Sequence, residues 1–108
     1  MDRENLELLR RAVEEWPAAR FNYNEINTGR NNQCGCAIHV ARAKGLSRRR
    51  GDMLNIEMED AFGLGGEEIR YLFNVKSAMT GKRIRGVAAK KVFFHRLKEV
   101  LRGKFRKG

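Results

Sequence analysis

The chain is 108 residues long, 42% hydrophobic, and carries a formal net charge of +10. That length suits one domain with a modest core, the apolar share excludes wholesale disorder, and no apolar run approaches the ~18 residues that span a bilayer. Its two cysteines, Cys34 and Cys36, stand too close in sequence to close a useful loop. A disulfide scaffold is therefore excluded, and a reducing cytoplasm is the expected setting.

The chain opens on Met1-Asp2-Arg3-Glu4 and runs straight into amphipathic sequence, so no secretory signal is expected. Asp2 is placed to cap a first helix, with Glu4 in the first turn, where the helix dipole favours an acid. Leu6, Leu9, Val13 and Trp16 recur at helical spacing, Leu8 and Ala12 widen the stripe, and Glu7, Arg10, Arg11 and Glu14 form the wet face. Pro17 ends this helix near Trp16. In 21–26, Phe21 and Tyr23 alternate as in a strand, but the piece is short; it reads as an extended or turn segment. Residues 27–33 form a polar loop.

Residues 34–44 read as a second helix rich in small side chains, and Gly45 closes it. Small residues let neighbours approach closely, which predicts a central position. Asp52 is the candidate cap of a third helix carrying Leu54, Met58, Ala61 and Phe62 and stopped by Gly63. Leu54, Ile56 and Met58 also alternate, which leaves a strand as the competing reading. A short helix opens at Gly66 with Ile69, Leu72 and Phe73 on one face, and 75–83 is a loop. The last helix is expected over about 85–102, with Ala89, Phe93, Leu97 and Val100 inward, Val92 and Leu101 extending the stripe, and Gly103 as its stop.

The charge is segregated. Residues 1–75 hold 11 Lys/Arg against 12 Asp/Glu, whereas residues 76–108 hold 12 Lys/Arg against one acid, Glu99. Such a block self-repels unless a polyanion or counterions lie against it. Lys91, His95, Lys98 and Arg102 follow at i, i+4, i+7 and i+11 and form one ridge beside the apolar stripe. Lys90 flanks it, Lys104, Arg106 and Lys107 make a basic tail, and the Arg48-Arg49-Arg50 loop offers a second contact point. Together these are the candidate nucleic-acid-binding residues.

Three other constellations invite chemistry and fail on spacing. Cys34-x-Cys36-x-x-His39 hints at zinc, but a site needs three or four converging ligands, and positions i and i+2 of a helix point apart. The cysteines read as small buried apolar residues, with neither metal nor cofactor expected. A Cys/His nucleophilic pair has no supporting pattern around it. Gly63-Leu64-Gly65-Gly66 lacks the lysine and hydroxyl of a phosphate loop, and Glu67 and Glu68 would repel phosphate there.

Two stretches carry a family resemblance. Asn32 to Ala41, Asn-Gln-Cys-Gly-Cys-Ala-Ile-His-Val-Ala, resembles a Cys-Gly-Thr-x-x-Cys-x-x-Gly-Trp/His-Ala helix. Phe62 to Phe73, Phe-Gly-Leu-Gly-Gly-Glu-Glu-Ile-Arg-Tyr-Leu-Phe, resembles more closely a Phe-Gly-Leu-Ser-x-Glu-Glu-Ala-x-x-Leu-Phe element. Both patterns are those of a family of small helical proteins of bacteria and their phages, which this chain resembles in the order of its elements over roughly residues 5–100. Asn31, Asn32 and His39 depart from the family's cysteine and glycines. The resemblance implies a compact helical fold and a bacterial or phage origin, and supplies no activity.

The expectation is an all-α bundle of four or five short helices over 1–103, with a basic tail at 104–108. The expected function is non-enzymatic: electrostatic binding of DNA or RNA through the basic last helix. The alternative is a protein-interaction module that engages a bacterial host or defence complex.

Overall fold

The computed structural model describes residues 1–22, 37–48, 54–73 and 85–103. It is an all-α bundle: α1 (Arg3–Glu15), a single 3-10 turn (Ala18–Arg20), α2 (Ala37–Ala43), α3 (Leu54–Phe62), α4 (Gly66–Phe73) and α5 (Gly86–Leu101). Among the described residues there is no strand. Extended backbone appears only as an isolated antiparallel bridge between Asn22 and Arg85, next to the Gly86 N–H, which donates to the Phe21 carbonyl at 2.9 Å. Residues 23–26 of the expected extended segment, the two cysteines and Asp52 lie outside the described residues.

Local chemistry sets most helix ends. Asp2 caps α1, its carboxylate accepting from the Asn5 N–H at 2.9 Å. Gly45, at φ +72°, closes α2 with paired bonds, Leu46 N–H to the Ala41 carbonyl and Gly45 N–H to that of Arg42. This is the Schellman arrangement, which satisfies carbonyls a helix end leaves open. The 54–62 stretch is helical, not a strand. Met58 and Phe62 are buried one helical turn apart, while Ile56, which a strand would place with Met58, is 42% exposed.

The core gathers Leu6, Leu9 and Val13 of α1, Ile38 and Val40 of α2, Met58 and Phe62 of α3, Ile69 and Leu72 of α4, and Ala89, Phe93, Leu97 and Val100 of α5. Leu8 does not join it and is 47% exposed. It stands about 100° around the helix from Leu9, beyond Ala12, which already forms the edge of the buried stripe. Trp16 is only half-buried and rests edge-on against His39, ring centroids 5.8 Å apart.

Gly63 does two things at the α3–α4 junction. Its φ is +63°, and a Cβ there would stand 3.2 Å from the Met1 N and Cα atoms, where Asp2 N–H donates to the Phe62 carbonyl. The next N–H with a role, that of Gly65, donates to the Glu68 carboxylate at 2.9 Å, so an acid occupies the donor a phosphate would want. The segment is a helix junction. Gly63→Ala is expected to destabilise by about 1–2 kcal/mol, the penalty of left-handed backbone for an L-residue. Gly66→Ala, whose Cβ would meet nothing within 4 Å, is the control. Equal melting temperatures for the two variants would contradict the assignment.

Candidate nucleic-acid interface

The inner stripe of α5 is fixed by the core: Ala89, Phe93, Leu97 and Val100 are all at most 2% exposed. That anchoring sets the rotation of the helix and turns Lys91, His95, Lys98 and Arg102 outward, all four exposed. From Lys91 to Arg102 the ridge rises about 16 Å at 1.5 Å per residue. His95 lies 3.9 Å from Glu99 at i+4, an ion pair only when the imidazole is protonated.

Lys90 is a correction. It is half-buried, and its ammonium donates to the carbonyls of Glu14 (3.0 Å) and Trp16 at the end of α1. A cation there satisfies open carbonyls and complements the negative end of the helix dipole. Lys90 is thus a C-terminal cap of α1 and no part of the ridge, because α5 packs with this residue facing α1. Arg96 is engaged likewise. Its guanidinium donates to the Tyr71 carbonyl at 3.1 Å and lies 4.8 Å over the Tyr71 ring, on the side of α5 away from the ridge. Two of the cations that make the last third so basic therefore serve packing.

Arg48 is exposed and lines a hollow of about 270 Å³ between α2 and α3 with Glu57 and Asp60, apart from α5. Arg49, Arg50, Lys104, Arg106 and Lys107 lie outside the described residues.

Three features have little or no signal in the sequence. Glu57 is buried, its side chain 1% exposed, and takes a two-pronged bond from Arg42 (2.8 and 2.7 Å) and a third from the Ser47 hydroxyl at 2.9 Å. The one signal for it was an acid on the same side of the helix as Ala61. Asn5 donates from its amide to the carbonyls of Leu46 and Ala61, at 3.3 and 2.6 Å, tying α1 to the ends of α2 and α3. The third is an open groove of about 720 Å³ between α1 and α5, with Phe94, Leu97 and Leu101 as its floor and Arg3, Lys98 and Arg102 on its rim.

On the α1 wall of that groove, Arg10 is clasped by Glu7 (2.6 Å) and Glu14 (2.7 Å). Hydrogen bonds to these carboxylates hold the Arg10 guanidinium above its usual range, and the bond from Arg10 holds Glu7 below the usual carboxylate range. His39 is held below the ordinary histidine value, first by burial and then by the nearby Arg42 charge. Among the described residues, no cluster of three or more His, Cys, Asp or Glu side chains is gathered as for a metal, and no helix is long and apolar enough to cross a membrane.

The geometry thus defines an all-α domain with one cationic helix face beside an apolar-floored groove. No family model, curated protein or solved structure matches the chain.

Proposed function

We propose that this protein is a small, non-enzymatic accessory protein of a bacterium or phage that binds nucleic acid electrostatically, in the cytoplasm. One observation carries the reading. Lys91, Lys98 and Arg102, with His95 among them, lie exposed along one face of a helix whose opposite face is locked into the core. The anchored helix sets the spacing of these charges in advance, so the backbone that carries them need not be ordered on meeting a row of phosphates. Contacts to phosphate position a protein and read no bases, so the binding is expected to be nearly indifferent to base sequence.

The test is a salt titration. Three to four neutralised phosphates give a slope of log K against log salt of about −2.7 to −3.6 on duplex DNA. Between 50 and 200 mM salt, affinity should then fall about 40- to 150-fold. A chain that binds neither DNA nor RNA at the lower concentration, yet retains one protein partner after nuclease treatment, would be an interaction module instead.

A further inference from the structure

The groove between α1 and α5 goes beyond the ridge because the two share residues. Lys98 and Arg102 belong to both, forming the outer edge of the groove as well as the end of the ridge. Behind them stand Phe94 and Leu101, half-buried side chains seven residues apart on the flank between ridge and core. Phe94 packs against Phe93 in an edge-to-face pair, ring centroids 5.8 Å apart. The volume, about 720 Å³, lies within the range of about 300–1,000 Å³ that small ligands occupy.

We infer that this groove receives an unstacked base of a single-stranded nucleic acid whose phosphates lie on Lys98 and Arg102. The inference rests on the ridge reading and adds the class of nucleic acid. Its argument is the pairing of charge and apolarity at one nucleotide's reach. A cationic edge beside an aromatic-bearing floor is how proteins hold single strands, backbone on the charges and base on the ring. A duplex keeps its base faces stacked inside and offers this floor no aromatic face to stack on.

Two other occupants fit worse. An amphipathic helix needs a row of anchors entering an open groove, but Leu97 is 2% exposed and only Phe94 and Leu101 present partial faces. A second copy of the chain would bring the same cationic rim against this one, like charge to like.

The experiment compares three fluorescein-labelled probes with equal numbers of phosphates: an oligothymidine, its abasic counterpart and a hairpin duplex. The protein is the full chain, at a salt concentration where the duplex binds measurably. The oligothymidine is expected to bind at least about five-fold more tightly than the abasic strand, the low end of what one stacked base contributes. Phe94→Gln should bring the two strands level and leave the duplex unchanged, which shows the ridge and fold to be intact. Should that variant fail to fold, the comparison of strands on the parent chain still decides, and a 4-thiothymidine strand crosslinked to the parent should mark the 86–101 helix. Equal affinity for all three probes would overturn the inference and leave the ridge reading standing. If no such concentration exists, and none of the three probes binds even at about 50 mM salt, both readings are overturned. An acidic helical peptide that binds the groove while the strands do not would make it a protein-docking site.

Discussion

Changing Lys91, Lys98 and Arg102 together to glutamate is expected to abolish retention on DNA and RNA at about 50 mM salt, where phosphate contacts are strong. All three side chains are exposed and stand away from the buried stripe, so core packing is untouched. The substitution is not silent for stability, because Lys98 and Arg102 lie at the C-terminal end of α5. Acids there oppose the helix dipole, at about 0.3–1 kcal/mol each. A glutamine triple belongs beside it, removing the charge without adding repulsion. It should flatten the salt dependence by the three phosphates the residues neutralise. Lys90→Ala is the counter-experiment: it uncaps α1 and should lower the melting temperature while leaving the salt slope alone. If the glutamate triple binds as the parent does, the ridge is a solvated face and nothing more.

The largest effect on stability is expected at Glu57. Its carboxylate is buried, held by two bonds from Arg42 and one from Ser47, and Arg42 is itself only 17% exposed. Glu57→Ala removes both of these bonds from the guanidinium and takes the balancing carboxylate away from its buried charge. Breaking a buried pair in this way costs about 3–5 kcal/mol, a large part of the ~5–15 kcal/mol that holds a typical domain. The informative comparison is the double variant Glu57→Leu with Arg42→Met. A buried ion pair is stabilising mainly against its half-broken forms, and apolar replacements of similar size are often neutral. The double variant should therefore unfold at a higher urea concentration than Glu57→Ala. A single variant that loses less than ~1 kcal/mol would mean that the bridge between α2 and α3 is wet and loosely held.

What the sequence by itself determined is what depends on neighbours along the chain. Asp2, Gly45, Gly63 and Gly103 mark helix ends because capping bonds and left-handed backbone are set within a few residues. That Ala89, Phe93, Leu97 and Val100 share one face of α5 and Lys91, His95, Lys98 and Arg102 another follows from the 3.6-residue turn. What only the tertiary structure decided depends on which helices meet. Lys90 and Lys91 are adjacent lysines in the sequence, yet one caps a helix 76 positions away and the other faces outward. Arg42 finds Glu57 across 15 positions, and Arg3 reaches the Leu101 carbonyl, at 2.8 Å, across 98. The groove exists only because α5 lies beside α1 with Phe94 and Leu101 along the seam. Periodicity places a side chain on a face of its own helix, but the partner of that face is set by packing, where a charge and a carbonyl distant in sequence become neighbours and the cation is withdrawn from solvent.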